Sequence, residues 1–292
     1  MSGLFTPFID NEFMRLALVG GLLVGLTCAI AGTFVILRGL AFVGDALAHG
    51  ILPGIAGALL LGVSGVYGAI VGAIVMMGGV SVVQRRFKLS GDTAIGLLFV
   101  GMLALGVIIT SRSETFVGDL TRVLFGELLG VSGGDLVFQT VALAIVAAIA
   151  FVGRRPFQLL SVDEGLATTS GFSVRLFSNL LLAIVAITVI ASFQTVGTLL
   201  VLGLLVAPAA TGALFARRVS SMMLIAAIVA SASVYMGLLA SYHFDLAAGA
   251  SIVFTSVVVF AIAATVREVI KGVAHHDHHH EHPHTHGSVH VR

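Results

Sequence analysis

The amino-acid sequence predicts an all-α, polytopic integral membrane protein. Three observations carry that expectation. Of the 292 residues, 58% are hydrophobic and only 10% are charged, whereas soluble domains sit near roughly 45–50% and 25%. Apolar runs follow one another, each of about 20 residues, the length that spans a bilayer core as a helix. Basic residues gather in clusters that lie two runs apart, as expected when short basic loops stay on one side of the membrane.

Nine candidate spans can be placed, at roughly 14–37, 40–62, 64–83, 92–110, 135–152, 173–191, 194–215, 221–240 and 247–266. The second and seventh each carry a proline late in the run, Pro53 and Pro208. Eight full crossings plus one broken or re-entrant segment is therefore the alternative. The chain divides into an extracytoplasmic segment 1–13, a transmembrane domain 14–272 and a histidine-rich tail 273–292. The opening stretch MSGLFTPFIDNEF has no positive cluster, so the first run reads as a retained span rather than a cleaved signal.

The basic clusters are Arg85, Arg86 and Lys88, then Arg154 and Arg155, then Arg217 and Arg218, then Arg267 and Lys271. Arg38 falls on the same side. That side is expected to be the cytoplasm, with the N-terminus outside and the C-terminus inside. The loop 111–134 then lies outside, and its TRVLFGELLGV suits a short interfacial helix. A net charge of +1 with no basic stripe argues against a nucleic-acid partner. The single cysteine, Cys28, sits in the first apolar run and reads as a small buried hydrophobe. Small residues four apart, such as Gly21 and Gly25, Gly50 and Gly54, Gly68 and Gly72, read as helix-packing positions.

The second run holds the most informative feature. Asp45 and His49 stand four residues apart inside LRGLAFVGDALAHGILPGIAGALLLG, so they share one helical face. Ionisable residues within a span are costly and usually face a bundle interior or a pathway. Carboxylate and imidazole are also ligand types that zinc, manganese and ferrous iron accept. The pair is half a site, which a second copy or another helix would complete. The alternative is an Asp–His hydrogen bond or helix cap that only fixes packing. Pro53 and the glycines around it break the helix just after His49, which suits a watery cavity. Pro208, within VGTLLVLGLLVAPAATGALFARR, could line the same path from another side or be a simple kink.

Three further stretches stand out. RRPFQLLSVDEGLATTSGFSVRLF, residues 154–177, is too polar to cross the membrane. Asp163, Ala167 and Gly171 recur every four residues in it, as in a short amphipathic helix, and an ordinary connector is the alternative. His243 and Asp245 lie at an outer turn and read as solvated. The tail holds nine of the eleven histidines, among them His275, His276, His278, His279, His280, His282, His284 and His286, interleaved with Asp277 and Glu281. Without apolar periodicity it is expected to lack fixed structure and to bind borderline metal ions, zinc foremost. No phosphate-binding G-x-x-x-x-G-K-[ST] occurs, and neither H-E-x-x-H nor C-x-x-C is present.

Five stretches together resemble a known family: LRGLAFVGDALAHGILPGIA, LFGELLGVSGGDL, VDEGLATTSGFSVR, VGTLLVLGLLVAPAATGALFARR and GLLASYHFDLAAGASIV. In this order, across roughly residues 12–270, they are similar to the permease subunit of zinc/manganese/iron ABC importers served by cluster-type metal-binding proteins. The resemblance implies the helical fold of cobalamin and siderophore importers, in a bacterial cytoplasmic (inner) membrane. It implies a homodimer, two copies of a separate ATPase that uses ATP, and an extracytoplasmic metal-binding protein. No permanently bound cofactor is implied, and this chain is not itself an enzyme. Asp163, Glu164, Ala167 and Gly171 would belong to the helix, near 160–171, that couples to the ATPase. Asp45 and His49 would attend the metal path. The tail favours zinc as cargo, with manganese or iron as the alternative. Competing readings are a proton-driven secondary metal transporter, an importer of a metal chelate, and a membrane-bound metal sensor.

Overall fold

The computed structural model describes residues 6–111 and 128–277. The described chain is helical, with a single 3-10 turn at Leu128–Gly130 between two spans. That is expected of a chain in lipid, where each backbone N–H and C=O must be satisfied within the protein.

A short α1 (Thr6–Asp10) leads into α2 (Glu12–Leu37), a 26-residue helix. The chain then reverses through Arg38, Gly39 and Leu40 into α3 (Ala41–Gly50) and α4 (Leu52–Leu60). Helices α5 (Gly65–Phe87) and α6 (Gly91–Thr110) are capped by the side chains of Ser64 and Ser90. Helix α7 (Gly133–Val152) starts with a reciprocal capping box between Ser132 and Asp135. Two short helices follow, α8 (Arg154–Val162) and α9 (Glu164–Thr169). The chain closes with α10 (Val174–Phe215), α11 (Val219–Phe244) and α12 (Ala248–Asp277).

Helix α10 is two arms joined at Gly197, whose backbone is non-helical at φ 76° and ψ 161°. Its neighbours show that the chain reverses there. On the first arm Ser178 lies by Arg38, and Ser192 and Thr27 both bond Gln139, so this arm runs antiparallel to α2. On the second arm Cys28 meets Val201 and Gly32 meets Leu205, so that arm runs parallel to α2. The described chain therefore has nine crossing segments. Eight are long enough to cross a bilayer by themselves, the second of them formed by α3 and α4 together, and Leu200–Phe215 is shorter.

Helix α2 is the hub. Gly21 and Gly25 let α11 approach through Val234 and Ala230, and Gly32 lies against the Leu205 carbonyl. Of the most apolar window in α2, 67% is buried, against 17% in α12 and 22% in α6 and α7. The outer helices thus leave wide apolar faces for lipid or for another chain. Leu37, Arg154, Arg217 and Arg218 line one cavity of about 490 Å3, and Arg38 reaches Glu164 nearby in the chain's α8–α9 connection. Arg38, Arg154, Arg217 and Arg218 thus lie at one end of the bundle.

One expectation needs adjustment. Helix α12 continues to Asp277, so the backbone at His275 and His276 is helical, where the tail was expected to be without structure from residue 273. The interfacial helix expected in TRVLFGELLGV lies outside the described residues, apart from the turn at its end. His278, His279, His280, His282, His284 and His286 also lie outside them.

Candidate functional site

Helix α3 places Asp45 and His49 one turn apart on a single face. Oδ1 of Asp45 lies 3.4 Å from Nε2 of His49. Elsewhere on the helix Val43, Ala46, Leu47 and Ala48 are buried, and Gly44 and Gly50 sit against Leu205 and Met76, whereas Phe42, three residues before Asp45 on the same face, is 74% exposed. The pair shares that open face. Its side chains are 33% and 26% exposed, so both open onto a free face of this single chain. The His49 ring stands edge-on to Phe99, with centroids 5.6 Å apart, and its Nδ1 is buried without a hydrogen-bond partner.

Pro53 adds to this. A proline has no N–H to offer the carbonyl four residues back, and that carbonyl belongs to His49. The helix restarts at Leu52, with Pro53 in its first turn, where the missing N–H costs little. Pro53 is buried and packs on Gly106 of α6. Pro208 is buried too, in the second arm of α10 between Ala207 and Ala209, and Ala209 lies against Gly32 of α2.

The pair offers one carboxylate and one imidazole. Among the described residues no group of three or more His, Cys, Asp or Glu side chains is close enough to hold a metal ion. Cys28 is fully buried between α2 and α10, its Sγ 3.8 Å from the Val201 carbonyl. His243 turns back on its own helix, with Nδ1 2.9 Å from the Leu239 carbonyl, and Asp245 ends that helix at φ 51°. They do not converge.

At the basic end, Asp163 is the N-cap of α9, its side chain accepting from the N–H groups of Gly165 and Leu166. Ala167 is fully buried and anchors the helix, while Leu166 is 51% exposed. Gly171 lies beyond the helix in the left-handed region at φ 82°, where Phe172 N–H closes the turn onto the Ala167 carbonyl at 3.0 Å. So of the four-residue series, Ala167 faces inward, Asp163 starts the helix and Gly171 stops it. Glu164 points out, and its Oε1 meets Nη2 of Arg38 at 2.7 Å. A run of ring contacts, Phe172 to Phe177 to Phe157 to Phe34, joins this connection to α2. Sequence reasoning missed both the ion pair and the ring series. The ion-pair partners lie 126 residues apart, and only the isolated Arg38 at a span end hinted at either.

The helices, their crossings and the polar connection at one end define a multi-pass helical membrane protein. The chain belongs to the ABC 3 transport family, whose model matches residues 10–267. It is 33% identical over 251 residues to the manganese transport system membrane protein MntC of Listeria innocua, covering 86% of this chain and 89% of that one. It is 34% identical over 267 residues to the manganese import system permease protein ScaB of Streptococcus parasanguinis, covering 89% and 94%. With the chelated iron transport system membrane protein YfeD of Yersinia pestis it shares 33% identity over 252 residues, covering 86% and 84%. Among solved structures, PsaBC from Streptococcus pneumoniae in complex with Fab superposes with a TM-score of 0.80 at 31% identity, covering 89% of this chain and 94% of that one. A structure described as an inward-facing metal-chelate type ABC transporter shares the fold, with a TM-score of 0.69 at 16% identity over 86% and 85%.

Proposed function

We propose that the chain is the membrane permease of an ATP-driven importer of divalent metal ions in a bacterial cytoplasmic membrane. The observation that carries this reading is the Asp45–His49 pair, a carboxylate and an imidazole 3.4 Å apart and partly open on a face of α3 that also carries the exposed Phe42. Two ligands hold an ion weakly, as a transport path requires, because a site that binds too well does not release. A homodimer would bring a second pair and complete the coordination. Helix α9, started by Asp163, stopped by Gly171, anchored by the buried Ala167 and presenting Glu164, is the part offered to a separate cytoplasmic ATPase, and an extracytoplasmic binding protein delivers the ion. The breaks at Pro53 and Pro208 would border the path. Hydrolysis belongs to the partner, and this chain performs none.

An oxygen and a nitrogen donor suit zinc, manganese and ferrous iron alike. The histidine density of the tail supports zinc. The manganese and iron named for the relatives support the alternative cargo. In the proposed cycle, ATP closes the ATPase dimer, α9 moves with it, and the space between two permeases changes its open side. The test is radiolabelled zinc uptake into vesicles carrying this chain, its ATPase and its binding protein, with and without internal ATP. ATP-dependent uptake that excess manganese barely inhibits supports a zinc importer. ATP-dependent uptake of manganese in its place keeps the class and changes the cargo. Uptake indifferent to ATP overturns the reading.

A further inference from the structure

We propose that Arg38 is a positioning residue that carries movement of α9 into the helix holding Asp45 and His49. The inference rests on the functional reading above, in which α9 meets the ATPase and the pair meets the ion. Arg38 is the residue at which three elements converge. Nη2 bonds Glu164, the first residue of α9, at 2.7 Å, and Nη1 donates to Oγ of Ser178 in α10 at 3.0 Å. Its own backbone caps α2. A solvated surface pair would contribute little, but the Arg38 side chain is only 14% exposed and is held by both nitrogens.

The chain after Arg38 decides where a pull on it goes. Gly39 takes a left-handed turn at φ 65°, and the turn is closed by bonds from Gly39 N–H to Ile36 and from Leu40 N–H to Val35. Val43 N–H then bonds the Leu40 carbonyl at 2.9 Å, starting α3 without slack. No flexible linker separates the guanidinium from α3. Asp45 follows one turn into that helix and His49 two turns in. The ring series holds α8 and the start of α10 on α2 by packing alone, but Arg38 is the charged tie from α9 itself. Displacing Glu164 therefore displaces the entry of α3, and with it the angle of the metal pair. Coupling of this kind is a physical linkage between two sites through a shared element.

The test uses the complete transporter in proteoliposomes, with zinc or manganese uptake and ATP hydrolysis read in the same sample. Arg38→Gln should lower the ions moved per ATP by roughly tenfold, within the usual range of coupling between sites, while hydrolysis continues. Glu164→Gln should also lower the ions moved per ATP, and because Glu164 is 62% exposed its loss leaves the fold intact. As Glu164 also lies in the helix offered to the ATPase, exchanging the two charges separates loss of the tie from loss of docking. The exchange Arg38→Glu with Glu164→Arg should restore coupling. Wild-type ions per ATP in Glu164→Gln would overturn the proposal. So would a defect that the exchange does not rescue. Failure of the functional reading shows separately, as uptake by the unaltered protein that ignores ATP.

Discussion

The backbones of Gly54 and Gly68 touch: a Cβ added to either would overlap the carbonyl oxygen of the other. This contact lets α4 lie directly on α5, with Gly72 against Ile51 and Gly50 against Met76 extending the seam. Small residues permit such approach in lipid, where packing rather than water drives association. Gly54→Ala and Gly68→Ala should each destabilise the protein by about 1–3 kcal/mol, the usual cost of overpacking. Gly57→Ala and Gly101→Ala, with nothing within 4 Å of the added carbon, should be near neutral. Thermal unfolding in detergent separates the two groups, and equal midpoints would contradict the seam.

The reversal of α10 depends on Gly197. Its φ of 76° and ψ of 161° fall in a region that only glycine occupies readily. Gly197→Ala should cost about 1–3 kcal/mol for that strain. The same melting assay reads it, and a wild-type midpoint would mean the chain turns elsewhere.

Cys28 should be chemically silent. It is fully buried between α2 and α10, and thiol reactivity follows access and thiolate character. A maleimide should leave folded protein unlabelled and react after denaturation. Labelling of the folded protein would require α2 and the second arm of α10 to part.

Much of this was legible in the residues. The apolar runs and basic clusters placed the spans, and the four-residue spacing of Asp45 and His49 put both on one face before any coordinates. The glycine pairs marked packing seams, and Gly54 and Gly68 turned out to face each other. Other features depend on distance. Gln139 donates to Thr27 and Ser192 on two other helices, and Arg38 finds Glu164 across 126 residues. Periodicity reports which way a residue faces and is silent about which helix it meets. It also misjudged the end of α12, because a helix leaving the bundle can continue past its apolar stretch.

The tail should be separable from transport. The apolar span of α12 ends at Ile270, so removing residues 274–292 leaves the bundle intact. Uptake by the truncated protein should stay within about twofold of the full chain, as for a dispensable terminus, while stoichiometric zinc binding at the histidine tract disappears. Loss of uptake would instead favour a sensor whose tail is the active part.

The most direct measurement is ATP-driven metal uptake by the Asp45→Ala, His49→Ala double variant beside the unaltered protein, at matched expression in the complete transporter. Losing metal-holding groups commonly costs tenfold or more in affinity, so uptake at limiting ion concentration should fall by roughly that factor or further. The thermal midpoint should change little, because both side chains are partly exposed. Uptake equal to that of the unaltered protein would contradict the account, and would leave the pair as a packing contact with no ion to carry.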